Sequence, residues 1–126
     1  MTKQFSVFLE NKPGRLASLV ELFEANQIRI LAMGIAEAGN YGIVRCIVDA
    51  PEKAAAVLRN ANTAVNLSDV VIVEMTKFRQ AVRILGENGI NIDYAYTMDG
   101  GKIVFKVDEL GKTYSILSDA GIKIDG

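Results

Sequence analysis

The sequence predicts an α+β fold built from two consecutive β-α-β-β-α-β units that share one eight-stranded antiparallel sheet, with the helices on one face. Three observations lead there. Stretches of alternating apolar residues are interleaved with stretches whose apolar residues recur at three- and four-residue steps, the periods of strand and helix. The order of these stretches occurs twice along the chain. The join between the copies, Leu67-Ser68-Asp69, holds no glycine or proline, so residues 1–67 and 68–126 are expected to pack as one body.

Gln4 to Glu10 alternates, with Phe5, Val7 and Leu9 on one side, and reads as a strand. Asn11-Lys12-Pro13-Gly14 breaks it. Leu16, Leu19, Val20, Leu22 and Phe23 then mark one face of a helix, with Asn11 placed to cap it. Ile28 to Ala38 is strand-like, Gly39-Asn40-Tyr41-Gly42 is a hairpin, and Ile43 to Val48 returns. Asp49-Ala50-Pro51-Glu52 opens a helix carrying Ala54, Val57, Leu58 and Ala61, and Thr63 to Leu67 closes the first unit. In the second unit Val70 to Val73 is a strand. Phe78, Ala81, Val82 and Leu85 mark a helix ended by Gly89, and Ile90 to Thr97 is a strand. Asp99-Gly100-Gly101 turns the chain into Ile103 to Val107. Asp108 is placed to cap a last helix ending near Gly121, and Ile122 and Ile124 form the final strand. The register of the repeat is explicit. Ile28-Arg29-Ile30 matches Ile90-Asn91-Ile92 at an offset of 62 residues, and Val48-Asp49 matches Val107-Asp108 at an offset of 59.

A β-α-β-β-α-β unit places both helices on one face of its sheet and leaves the other face solvated unless something covers it. Leu31, Met33 and Ile35 fall on one side of their strand and Ile28, Ile30 and Ala32 on the other. Apolar residues on both sides imply a further contact, most simply a homodimer through Leu31, Met33 and Ile35 or through a free sheet edge.

Composition narrows the chemistry. With 126 residues, 50% hydrophobic and 23% charged, the chain is globular and needs no metal or disulfide staple. Fourteen basic against fifteen acidic residues leave no cationic excess for a nucleic acid. The absence of histidine removes Ser-His-Asp and Cys-His catalysis and histidine-bound zinc. A single cysteine, Cys46, in an apolar strand reads as a core thiol. No signal peptide and no membrane-spanning run is recognised, so a cytoplasmic protein is expected. Neither a catalytic constellation nor a metal- or cofactor-binding motif stands out. An acylphosphatase-type phosphate loop is missing, as is the basic, aromatic central strand of an RNA-binding sheet.

The most informative segment is Glu10-Asn11-Lys12-Pro13-Gly14-Arg15-Leu16. A strand ends, a Pro-Gly turn follows and a helix begins, and the free amides of a helix start can hold a carboxylate. The same residues also make an ordinary capped turn, which the residues alone favour. Tyr94 and Tyr96 share a strand face and suit either a pocket lining or packing.

Strand, Asn-x-Pro-Gly-x-Leu, amphipathic helix, then Gly89-Ile90-Asn91-Ile92-Asp93 resembles the ACT domain, and the resemblance covers the chain twice. It implies two ferredoxin-like units of a non-catalytic regulatory protein that binds a free amino acid in the service of an amino-acid-metabolism enzyme. The alternative is a scaffold on the same fold that has lost its ligand. It also implies a site made by Asn11, Lys12, Pro13, Gly14, Arg15 and Leu16 from the first loop, with Asn91, Ile92 and Asp93 from the second strand of the neighbouring unit. Departures matter as well. Met75-Thr76 stands where the second unit would repeat Pro13-Gly14, and Arg29 stands where the first would carry Asn91. Both losses fall on one of two pseudo-equivalent sites, which implies a single retained pocket. Leu9 occupies the position of the histidine found in serine-sensing members, and the Glu-Ser-Arg-Pro motif of phenylalanine-sensing members is absent.

Overall fold

The computed structural model describes residues 2–125. Met1 and Gly126, the outer bounds expected for the two units, lie outside the described residues. The chain forms two compact units, Lys3–Ser68 and a second that begins at Asp69. The first contains β1 (Thr2–Glu10) from Lys3 onward, α1 (Arg15–Ala25), β2 (Ile30–Ala38), β3 (Tyr41–Val48), α2 (Pro51–Asn60) and the start of β4 (Val65–Glu74). The second contains the rest of β4, then α3 (Met75–Glu87), β5 (Ile92–Met98), β6 (Lys102–Val107) and α4 (Leu110–Asp119). Strand order is β2-β3-β1-β4 in the first and β4-β6-β5 in the second. The β1–β3, β2–β3, β4–β6 and β5–β6 pairings are antiparallel.

Six strands are therefore found among the described residues where the sequence predicts eight. Two strands fuse. Leu67-Ser68-Asp69 has neither glycine nor proline to turn the backbone, so the strands expected at Thr63–Leu67 and Val70–Val73 run together as one ten-residue strand, Val65–Glu74. The last expected strand, at Ile122 and Ile124, contracts to a single bridge between Ile72 and Asp125, with the Asp125 N–H on the Ile72 carbonyl at 2.8 Å.

Each unit has its own core between helices and strands. Phe5, Val7, Val44, Cys46 and Val48 meet Leu19 and Phe23 of α1 and Ala54 and Leu58 of α2 in the first. Val71, Val73, Ile103, Phe105 and Val107 meet Ala81, Leu85 and Leu117 in the second. Each large apolar side chain so buried stabilises its unit by roughly 1.5–3 kcal/mol relative to exposure.

The four helices among the described residues end the same way. The residue after the C-cap adopts positive φ: 59° at Gln27, 53° at Asn62, 71° at Gly89 and 74° at Gly121. The following N–H then reaches back five residues, as from Ile28 to Phe23, Thr63 to Leu58, Ile90 to Leu85 and Ile122 to Leu117, at 2.9 to 3.0 Å. This paired closure is the Schellman motif. Gly89 and Gly121 are legible as stops; Gln27 and Asn62 are not.

The duplication extends to individual bonds. Asp49 Oδ1 accepts the Arg29 N–H at 2.8 Å, and Asp108 Oδ1 accepts the Asn91 N–H at 3.2 Å. Asp108 is thus a strand clamp rather than the expected helix cap; no side chain among the described residues caps α4. Asn26 and Asn88 each donate from Nδ2 to the carbonyl four residues back, at 2.8 Å.

The expected exposed stripe Leu31, Met33 and Ile35 is not a stripe. A bulge between Ile30 and Ala32 shifts β2 by one residue, which exchanges the faces beyond it. Met33 then packs on the first core beside Ile30, while Ile35 remains 56% exposed. On the face away from the helices, Ala32 and Ile47 are already buried within the single chain. Phe8, also on that face, remains 38% exposed.

Candidate functional site

The first half of the expected site is the four-residue connection from β1 to α1. It exists because Gly14 takes φ 87°, a conformation that ends a strand and admits a helix; no atom lies within 4 Å of where a Cβ would sit, so the demand is on backbone freedom alone. The Gly14 carbonyl accepts from both the N–H and the Oγ of Ser18 at 3.0 Å. The Arg15 N–H is taken by the Lys12 carbonyl at 3.3 Å. That leaves the Leu16 and Ala17 amides without an acceptor among the described residues, and no side chain caps the helix. Two open donors at the positive end of an eleven-residue helix suit one carboxylate.

Asn11 does not cap α1. Its Nδ2 donates to the Gly39 carbonyl at 3.2 Å and its N–H donates to Asn40 at 2.8 Å, which ties the loop to the β2–β3 hairpin. Asn40 and Tyr41 accordingly join Glu10, Asn11 and Lys12 around a shallow open hollow. Sequence reasoning missed Asn40 and Tyr41, because their approach depends on pairing across 28 residues.

It also missed the charge arrangement. Glu10 holds both loop cations, Lys12 Nζ at 3.0 Å on Oε2 and an Arg15 guanidinium nitrogen at 3.2 Å on Oε1. The hydrogen bond from Lys12 and the charges of Lys12 and Arg15 hold the Glu10 carboxyl below the usual carboxylate range. The signal was present as one acidic residue preceding two basic ones. Leu16 is 37% exposed, and Pro13 lies in the exposed turn.

In the second unit no such loop is found. β4 ends at Glu74 and α3 starts at Met75, so Met75 and Thr76 are helical and the turn at the position of Pro13 and Gly14 is gone. The Met75 N–H instead meets the Gly101 carbonyl at 2.9 Å.

The second half of the expected site lies where β5 begins. Asn91 is exposed, with its N–H clamped by Asp108 and its Nδ2 donating to Asp93 Oδ1 at 3.0 Å. Ile92 packs on the second core and Asp93 is exposed. Tyr94 and Tyr96 share a face as expected and stack, with centroids 6.4 Å apart and planes 18° apart. Cys46 is fully buried, which pushes its thiol up to about 12. No group of three or more metal-ligating side chains occurs among the described residues. No helix of the described residues is long and apolar enough to cross a membrane.

Comparison with known proteins follows the same lines. A family model described as an ACT domain pair matches residues 1–125. A crystal structure from Bacteroides thetaiotaomicron is similar over 98% of this chain and 91% of its own, with 30% identity and a TM-score of 0.90. The ligand-free regulatory subunit of aspartate kinase from Thermus thermophilus shares the fold at 13% identity and a TM-score of 0.66, over 95% of this chain and 89% of its own. The corresponding subunit from Thermus flavus does so at 12% identity and 0.62, over 95% and 92%. No protein of curated function is matched.

Proposed function

This chain belongs to the family of ACT domain pairs, and from that membership we propose that it is a non-catalytic regulatory protein that binds a free amino acid and reports its occupancy to a metabolic enzyme. The carrying observation is the pair of open amides at Leu16 and Ala17, presented by a Gly14 turn at the end of β1. A carboxylate there gains charge-assisted hydrogen bonds from preorganised donors. In this reading Asn11 and Gly14 orient the ligand, with Lys12, Pro13, Arg15 and Leu16 lining it, and Asn91, Ile92 and Asp93 serve the same ligand. The Asn91–Asp93 pair offers a carboxylate for the ligand ammonium. The fold relatives named as regulatory subunits of aspartate kinase lend the regulatory role its support. One pocket per chain and a homodimeric state complete the proposal.

A second reading, a scaffold without ligand, is favoured by one observation. Glu10 already occupies Lys12 and Arg15, and Asn11 Nδ2 is spent on Gly39. Titration calorimetry with each proteinogenic amino acid in turn separates the two. Losing one hydrogen bond to a charged ligand costs about 1.5–3 kcal/mol, so Asn11→Ala and Asn91→Ala should each weaken binding roughly ten- to a hundred-fold. Thr76→Ala should change nothing. Indifference to both asparagine changes, or two equivalent sites per chain, contradicts the single-pocket reading.

A further inference from the structure

We propose that the chain self-associates through its helices, the flank of α1 bearing Val20, Glu21 and Glu24 in one copy lying against the flank of α3 bearing Arg79, Val82 and Arg83 in another. α1 buries Leu19 and Phe23 in its own core. Its Leu22 and Asn26 share a hollow with Val57 and Asn60 of α2, so α2 runs along that side. The Leu16, Val20 and Glu24 side chains recur every four residues along the opposite flank. Val20 remains 36% exposed there, and Glu21 and Glu24 are exposed beside it.

The repeat places Val82 where the first unit has Val20, at the offset of 62, and Val82 is likewise 39% exposed. The charges around it are reversed. Arg83 stands at the position of Glu21, Arg79 lies one turn earlier, and Gly86 replaces Glu24 with no atom within 4 Å of a Cβ position. Thr76, Arg79, Gln80 and Arg83 line a shallow hollow able to receive a carboxylate. Arg83 is 3.6 Å from Glu87 on its own helix, whereas Glu21, Glu24 and Arg79 enter no ion pair among the described residues.

Equivalent flanks of opposite charge, each with an exposed valine at its centre, repel their own kind and fit each other. The contact is therefore between unlike units of two copies, α1 on α3, and not between two copies of α1. The occupant is a second copy of this chain, since the complementary pair is encoded within it. The surface uses none of the side chains assigned to the ligand, apart from the neighbouring Leu16.

Sedimentation velocity of the full chain at micromolar concentration tests this, with far-UV circular dichroism and the melting midpoint as folding controls. The wild type should associate and should dissociate as salt is raised. E21R/E24R and R79E/R83E should each be monomeric, with association weakened by roughly a hundred-fold or more, because like charges then face one another. Mixed in equal amounts the two variants should recover the wild-type mass, and so should the single chain carrying all four reversals. A monomeric wild type, an R79E/R83E variant that keeps the wild-type mass, or a mixture that stays monomeric would overturn the proposal.

Discussion

Replacing Gln27 by glycine should stabilise the protein, although it deletes a side chain and touches no core. Gln27 holds φ 59° in the closing turn of α1, the same place that Gly89 and Gly121 hold at 71° and 74° in α3 and α4. An L-residue in this left-handed region pays about 1–2 kcal/mol. Glycine removes that cost and adds about 0.5–1 kcal/mol of unfolded-state entropy to be overcome. The net expectation for Gln27→Gly is a gain of roughly 0.5–1 kcal/mol, or a rise in melting midpoint of about 2–5 °C for a chain of this size. Asn62→Gly should gain less, since asparagine tolerates φ near 53° better than glutamine tolerates its own angle. The converse change, Gly89→Ala, should cost about 1 kcal/mol, and purely through the backbone, because nothing lies within 4 Å of the added methyl. Thermal melts followed by circular dichroism on the three variants rank them directly. A lower midpoint for Gln27→Gly, or an unchanged one for Gly89→Ala, would refute the common-closure argument.

Three further outcomes follow from the same geometry. Asp49→Ala and Asp108→Ala should each destabilise by about 1 kcal/mol, with the shorter bond at Asp49 costing more; equal midpoints for both variants and the wild type would contradict the clamp. Glu10 has its folded-state pKa depressed, so its contribution is present above its unfolded pKa and is lost as pH falls through the folded value. A carbon-detected NMR titration should find its midpoint below that of an ordinary glutamate, with Lys12→Ala moving it upward; no movement would show that Lys12 is not the cause. Cys46, pushed by burial to about 12, should resist thiol reagents at mildly alkaline pH until denaturant is added, and rapid labelling of the native protein would contradict its burial.

Much of this was legible in the residues. Both hairpins announce themselves, at Gly39-Asn40 and Asp99-Gly100-Gly101, and the two offsets carry each helix onto its counterpart. What escaped depends on pairing at a distance or on a single-residue shift. The fusion that makes β4 was hidden because Ser68-Asp69 reads as a polar joint, yet both residues are half-buried in a continuous strand. The bulge that turns Met33 inward has no local signature. Gln27 and Asn62 carry no glycine to mark their turns. At the candidate site the loop and its Gly14 were readable, while the bond from Asn11 to Gly39 and the grip of Glu10 on Lys12 and Arg15 were not, since they arise only when the hairpin and loop come together.

The most direct test of the account is a thermal-shift series of the purified chain against each proteinogenic amino acid, repeated with Asn11→Ala. A ligand present at about 100 times its dissociation constant adds roughly 2.7 kcal/mol to the folded state, which for this chain is a shift of about 8–13 °C. The account predicts that at least one amino acid raises the midpoint saturably, and that at the same concentration Asn11→Ala loses half or more of that shift. If none of them moves the wild-type midpoint, or if Asn11→Ala responds as the wild type does, the chain is not the amino-acid-binding regulator proposed.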